Sequence, residues 1–369
     1  MGDGMERKEN RQLDEHRQKQ MLLIDQLQEK TTLTADELKE LLVERDQIVI
    51  EYLCKKASTI CGRHYGRKIY ARALIEFTNY CRNDCLYCGI RSSNKKIERY
   101  RLSDQEIFDC VNEGYQLGFR TFVLQGGEDA YYTKRKIGMI VKKIKESCPD
   151  CAVTLSFGEW DRAVYEYWYE CGADRYLLRH ETADKMHYQT LHPCKMSFDH
   201  RRRCLSILKE IGYQTGAGCM IGSPGQTPGL LVKDLLYMKE FQPHMAGIGP
   251  FIPQKDTPFA SKPSGTVAMT LKMLAIVRLL LPKILLPSTT ALATIHPMGR
   301  EYGIFAGANV LMPNLTPQRV RGKYILYDNK ISSGAESAQK IAFLKEKLNA
   351  VGYELCMERG DSLMQEKIQ

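Results

Sequence analysis

Eight short β-rich runs, separated by loops and amphipathic helical patterns, predict an α/β fold for this 369-residue chain. The expected form is a (β/α)8 TIM-type barrel with an N-terminal helical extension and a C-terminal tail closing the barrel. Three observations carry that expectation. The runs alternate with helical patterns, which argues for parallel pairing. They number eight, which favours a closed barrel over an open doubly wound sheet. Polar and glycine-bearing segments follow each of them, as the loops of a single site would.

The elements follow in order. The first ~30 residues are rich in Glu, Lys, Arg and Gln, the composition of a solvated helix or a frayed tail. Thr34-Ala35-Asp36-Glu37 is a capping box ahead of Leu38, Leu41 and Leu42, so a helix starts there. The strand-like runs are ARALIEF (71–77), TFVLQ (121–125), AVTLSF (152–157) and DRYLLR (174–179), then YQTGAGCMI (213–221), HMAGIGPF (244–251), LLPSTTA (285–291) and ANVLM (308–312). A second capping box, Ser103 to Glu106, opens the first intervening helix; others are expected near 134–147, 161–171, 197–211, 227–240, 266–281 and 297–306. The domain division is therefore 1–66 for the N-terminal helical region, 67–330 for the barrel and 331–369 for a C-terminal helical tail.

Hydrophobic residues make up 43% of the chain, enough for a sizeable core. The balance of 53 basic to 44 acidic residues gives +9, which fits either a nucleic-acid surface or a solvated exterior around a basic pocket. No nucleic-acid motif accompanies the charge, so no nucleic-acid partner is expected. The longest apolar run, LKMLAIVRLLLPKILLP, is broken by Arg278, Pro282 and Lys283 and cannot span a membrane. The charged N-terminus has no apolar signal core, and a cytoplasmic location is expected. The thirteen cysteines then read as reduced thiols, most of them small core hydrophobes.

One group of cysteines demands a ligand. Cys81, Cys85 and Cys88 are spaced C-x3-C-x2-C after the first strand, with Tyr87 before the last. Three thiolates on one loop can ligate three irons of a cubane cluster and leave the fourth open. Zinc is the rival, but it needs a fourth ligand and usually a second pair. Cys148-Pro149-Asp150-Cys151 offers such a pair, yet it precedes the third strand and so falls at the other end of the barrel. A ferredoxin-like carrier would use C-x2-C-x2-C with a fourth cysteine.

This loop in this position resembles the radical S-adenosylmethionine superfamily. The resemblance implies that the open iron takes the amino and carboxylate groups of S-adenosylmethionine, and that reduction releases a 5′-deoxyadenosyl radical. Gly126-Gly127-Glu128 after the second strand looks like the superfamily's GGE motif, which receives the ligand's ammonium group. Within the superfamily, IEFTNYCRNDCLYCGIR, LQGGEDAYY, TLSFGEW, ADRYLLRHETA, TGAGCMIGSPGQT, GIGPFIPQKDTP and GANVLMPN together are similar to the FeFe-hydrogenase maturases, over roughly residues 70 to 330.

That resemblance implies one 4Fe–4S cluster held by Cys81, Cys85 and Cys88. It also implies a cofactor wall of Tyr87, Gln125, Gly126, Gly127, Glu128, Glu181 and Arg201. Arg72, Thr154, Arg179, Met245, Thr289, Thr290, Tyr324 and Tyr327 would line an inner cavity. The substrate implied is a small cysteine-bound iron carbonyl/cyanide precursor. The implied partners are the radical maturase that supplies it, a GTPase scaffold and an external electron donor; the chain itself would be a monomer. Read structurally, Arg72 and Arg179 would instead be ion-paired with Glu76 or Glu159 inside the barrel. Thr154 would then be a strand residue packing its methyl, and His180 a hydrogen-bonding residue rather than a base.

Some relatives carry three further cysteines beyond the last strand. YDNKISSGAESAQK has none, so no second cluster is expected there. The alternatives are a 3-methylornithine synthase-like mutase, a biotin synthase and a non-catalytic iron–sulfur scaffold. Biotin synthase needs cysteines on several strands, and only Cys219 lies near another strand top.

Overall fold

The computed structural model describes residues 2–331 and 337–364, and three helices precede its first strand. Gly2–Lys30 is followed by Ala35–Val43, opened by the expected capping box, and by Gln47–Tyr65, where the Asp46 side chain accepts from the Ile48 N–H. Their apolar faces (Leu23, Leu27, Leu38, Leu42, Val49, Leu53) bury against helix Val267–Leu280. That helix is the broken apolar run, and Arg278 within it is fully buried. Its guanidinium donates to the carbonyls of Gly307 (2.9 Å), Pro282 (2.9 Å) and Ile284 (2.6 Å), so the charge is hydrogen-bonded rather than solvated. Among the described residues, no helix is long and apolar enough to cross a membrane.

The strands are β1 (Lys68–Ala71), β2 (Ala73–Thr78), β3 (Thr121–Gly126), β4 (Ala152–Ser156), β5 (Arg175–Leu177) and β6 (Gln214–Ala217), then β7 (Met220–Ile221), β8 (Met245–Ala246), β9 (Gly249–Pro250), β10 (Val310–Leu311) and β11 (Glu354–Cys356). Every pairing between them is parallel. A continuous ladder runs β2-β3-β4-β5-β6-β8, with β10-β1-β11 and β7-β9 beside it. The intervening helices fall where the 3.6-residue periodicity puts them, at Asp104–Gln116, Lys134–Ser147, Arg162–Glu170, Phe198–Ile211, Pro228–Phe241 and Gly299–Phe305. The fold is a parallel α/β sheet.

Three departures from expectation have local causes. The runs 71–77, 213–221 and 244–251 are each divided between two short strands. Gly218 (φ +143°) lies so close to Gly247 that an added Cβ would sit 2.1 Å from the Gly247 carbonyl oxygen. The seventh run is not a ladder strand: Leu285 and Pro287 make only single bridges, to Met245 and Val310. Pro287 has no N–H to give, and Thr289 already caps helix Thr290–Ile295. Six strands therefore run in one continuous ladder, with Leu74–Asn314 as a further parallel bridge beside them. Finally, the expected helical tail contains helix Ile341–Ala350 but then adds β11 alongside β1. Residues 332–336 and 365–369 of that tail lie outside the described residues.

The chain after β11 crosses the N-terminal end of the sheet. Asp361 accepts from Arg175 Nη2 (2.7 Å), Gln214 Nε2 (2.7 Å) and Arg359 Nε (2.6 Å). Burial opposes its ionisation, but Arg175 and these hydrogen bonds outweigh it and hold the carboxyl down to about 2, against 3.8 for a free aspartate. The folded value lies below the unfolded one, so the docking contributes fully above about pH 4 and is lost as pH falls toward 2. Asp361→Asn is expected to lower unfolding free energy at pH 7 by about 1 kcal/mol. Denaturant unfolding at a series of pH values should show that deficit shrinking between pH 4 and 2; a deficit independent of pH would contradict the account.

Candidate active site

β2 runs out at Thr78 into the cysteine loop, and the loop's shape is fixed without its thiols. Asn79 Oδ1 accepts from the Tyr100 N–H (2.7 Å), while Nδ2 donates to the carbonyls of Glu98 (2.9 Å) and Lys323 (2.8 Å). Arg91 grips Asp84 with two parallel bonds of 2.8 and 2.5 Å, a bidentate geometry that resists rotation. Leu86 N–H is bound by the Leu191 carbonyl and Gly89 N–H by that of Leu326.

Cys81, Cys85 and Cys88 consequently face one cavity of about 350 Å³ at the C-terminal ends of the strands. Burial raises all three thiols, Cys88 to about 12, and for Cys85 the neighbouring Cys88 and Cys81 add to the rise. Three thiolates this close in a low-dielectric wall repel one another unless a cationic centre lies between them. No other cysteine of the described residues lines the cavity. The donor set therefore fits a cluster with one iron left open, and it fits neither a four-thiolate zinc site nor a wall carrying a second cluster. Cys148 and Cys151 are free and buried away from this wall. Cys219 is fully buried and does not reach it.

The glycine-glycine-glutamate loop lies directly against the cysteine loop. A Cβ on Gly127 would stand 2.2 Å from the Tyr80 carbonyl oxygen and 2.6 Å from Cys81 Cβ, so only glycine allows this approach. Gly158 (φ +90°) leaves room for the Glu128 side chain in the same way. Glu128 is not a free carboxylate: Oε1 accepts from the Glu159 N–H (2.9 Å) and Oε2 from Arg82 Nε (2.9 Å). Two lone-pair positions remain for a ligand. Tyr87 is oriented by His192, whose Nε2 lies 3.1 Å from its hydroxyl. Burial, reinforced by Arg201, pushes that imidazole down to about 3, so it stands neutral and accepts the bond.

The same cavity is lined by Gln125, Gly126, Glu181 and Arg201, and by Arg179, Thr289, Thr290, Tyr324 and Tyr327. Glu181 has φ +65°, a left-handed conformation that costs a non-glycine residue about 1 to 2 kcal/mol. Its Oε1 takes Arg179 Nε (3.1 Å), and its buried Oε2 has no partner among the described residues. Arg201 is ion-paired with Glu159 and donates to the Arg179 carbonyl (2.9 Å).

Arg72, Thr154 and Met245, expected to line an inner cavity, are buried and are not among the residues that line this one. Thr154 is mid-strand in β4, Met245 starts β8, and Arg72 sits between β1 and β2. Arg72 donates to Met245 Sδ (2.8 Å) and to the Gly360 carbonyl (3.4 Å) of the returning tail. Neither arginine pairing expected from sequence occurs: Glu76 binds Lys330, Glu159 binds Arg201, and Arg179 turns to Glu181. Burial, then repulsion from Arg175, lowers the Arg72 guanidinium well below its usual range.

Sequence reasoning missed the Glu76–Lys330 pair. Glu76 is fully buried, lines the cavity, and also accepts from Asn314 Nδ2 (2.9 Å). The inward position of Glu76 in an apolar strand was a usable signal; its partner, 254 residues away, was not.

A parallel α/β sheet with three thiols and a glycine-glycine-glutamate loop at one mouth defines a radical S-adenosylmethionine enzyme. The profile of the radical SAM superfamily matches residues 75–237. The chain is 50% identical over 303 residues to the FeFe hydrogenase maturase subunit HydE of Thermotoga maritima, covering 82% of this chain and 86% of that one. It is 31% identical over 281 residues to 3-methylornithine synthase of Methanosarcina acetivorans, covering 76% and 79%. A crystal structure of methylornithine synthase superimposes with a TM-score of 0.80 at 26% identity, over 90% of this chain and 97% of that one. The chain belongs to the radical SAM superfamily, whose members use a 4Fe–4S cluster and S-adenosylmethionine, and within it to the HydE family.

Proposed function

We propose that this enzyme acts in FeFe-hydrogenase maturation, on a small cysteine-bound iron carbonyl/cyanide precursor. The observation that carries the reading is the single cavity in which the three-thiol loop faces a wall of cations, hydroxyls and tyrosines. When bound, a 4Fe–4S cluster reduced by the external electron donor and S-adenosylmethionine would together supply a 5′-deoxyadenosyl radical. The chain's residues do the rest. Cys81, Cys85 and Cys88 hold the cluster. Tyr87, Gln125, Gly126, Gly127, Glu128, Glu181 and Arg201 receive the adenosylmethionine. Arg179, Thr289, Thr290, Tyr324 and Tyr327 orient an anionic substrate beside it and keep water out.

Arg72, Thr154 and Met245 form the floor beneath. Arg72 Nε and Thr154 Oγ1 are buried without partners among the described residues, as donors awaiting an anion would be. The parallel bridges at Leu285, Pro287 and Asn314 support a sheet that wraps into a closed eight-stranded barrel around this cavity. The expected partners are the maturase that makes the precursor, a GTPase scaffold and an external electron donor.

The 3-methylornithine synthase likeness favours a second reading, with lysine as substrate. Incubating the reduced, cluster-loaded chain with S-adenosylmethionine and either candidate separates the two. Formation of 5′-deoxyadenosine is expected to accelerate with the iron precursor and not with lysine. Acceleration by lysine, with a branched amino acid as product, would reverse the assignment. No 5′-deoxyadenosine under any condition would leave a non-catalytic scaffold.

A further inference from the structure

Glu181 is held in its unfavourable conformation by groups that never reach the cavity. Asp234 lies on helix Pro228–Phe241, fully buried among Leu231, Val232, Leu235 and Met238. A carboxylate on such a face is costly unless it is hydrogen-bonded. Its Oδ1 accepts from the Ala183 N–H at 2.5 Å and lies 3.3 Å from His180 Nε2. His180, equally buried, uses its other nitrogen to accept from the Gly218 N–H (3.2 Å). The ring proton therefore sits on Nε2 and points at Asp234. Gly218 in turn accepts the Glu181 N–H at 3.0 Å. The turn is thus pinned on both sides of Glu181, at residues 180 and 183, through one buried carboxylate. The side chain between the pins carries the buried, unpartnered Oε2.

We propose that His180 and Asp234 are positioning residues that fix the Glu181 carboxylate for adenosylmethionine. This rests on the assignment of Glu181 to the adenosylmethionine wall. Cys219 lies beside the pair, with ligand atoms of all three residues within 4.8 Å of one another. Backbone N–H groups already occupy His180 Nδ1 and Asp234 Oδ1, while the buried Asp234 Oδ2 has no partner among the described residues, so the test also measures bound metal.

The test is titration of S-adenosylmethionine into the reduced, cluster-loaded chain, read by the change in the cluster's electron paramagnetic resonance signal. Five variants are compared: Glu181→Gln, His180→Phe, Asp234→Leu, Asp234→Asn and the double variant Glu181→Gln with His180→Phe. His180→Phe keeps an aromatic ring against Tyr237, whose ring centroid is 4.7 Å away, and so preserves that packing. His180→Phe and Asp234→Leu should each weaken binding by about tenfold with iron content unchanged. Asp234→Asn, whose amide oxygen still accepts both bonds, should bind within about twofold of the unsubstituted chain. In a Glu181→Gln background, His180→Phe should add nothing.

His180→Phe binding as tightly as the unsubstituted chain, or adding its full effect to that of Glu181→Gln, would overturn the positioning role. A Glu181→Gln variant with undiminished affinity would instead remove the assignment on which the proposal rests. A stoichiometric divalent metal besides the cluster's iron, lost in Asp234→Asn, would replace the hydrogen-bond account.

Discussion

Cys85→Ala is expected to leave a folded chain that cannot assemble its cluster. Among the described residues the thiol contacts Met196 Sδ at 3.8 Å. The loop around it is held by Asp84–Arg91, by Asn79 and by backbone bonds to Leu191 and Leu326, none of which involves sulfur. Removing the side chain should therefore change unfolding free energy by no more than about 1 kcal/mol. Iron after anaerobic reconstitution should fall from about four per chain to background, because two thiolates on a mobile cubane do not replace three. Metal analysis with far-ultraviolet circular dichroism reads both. A variant that unfolds, or one that keeps its full iron and its 5′-deoxyadenosine production, would contradict this division of labour between loop and thiol.

The second large effect is expected at a residue with no side chain. Gly127→Ala places a Cβ within 2.2 Å of the Tyr80 carbonyl and 2.6 Å of Cys81 Cβ. Both are tied to backbone, so the two loops must separate, at a cost of about 1 to 3 kcal/mol. The separation moves a cluster ligand relative to Glu128, and adenosylmethionine affinity should fall by more than about tenfold. Gly62→Ala is the control. It lies within helix Gln47–Tyr65 with nothing within 4 Å of the added atom, and should stabilise the chain by about 0.5 to 1 kcal/mol. Titration of adenosylmethionine into both variants checks the pair; equal affinities would show that the close contact at Gly127 does not shape the site.

What the sequence made legible was what short spacing encodes. The cysteine loop, the GGE turn and the two capping boxes are each complete within about ten residues, and the structure keeps all of them. Most of the helices were readable because they present one apolar face at a 3.6-residue period, whereas Val267–Leu280 is buried all round along its second half. The splits of runs 213–221 and 244–251 were not readable, because they depend on Gly218 meeting Gly247 across the sheet, a contact between two runs. β11 was missed for the same reason: ELC is a weak strand signal until β1 offers it an edge. Charge pairing was the least legible feature. Arg72 had nearby carboxylates to choose from in sequence, yet in space it faces Met245 and Gly360, while Glu76 takes a lysine from the far end of the chain. Asp234 is one polar position on a mostly apolar helix; its bonds to Ala183 and His180, 51 and 54 residues away in sequence, show what it holds.

The central claim is that three thiols hold a cluster whose fourth iron is kept for S-adenosylmethionine. Electron paramagnetic resonance of the reduced, reconstituted chain, recorded with and without S-adenosylmethionine, tests it most directly. A single cluster signal per chain is predicted, with g-values that shift on adding the ligand. No such shift is predicted with 5′-methylthioadenosine, which lacks the amino and carboxylate groups that would reach the open iron. A signal unchanged by S-adenosylmethionine would contradict the claim.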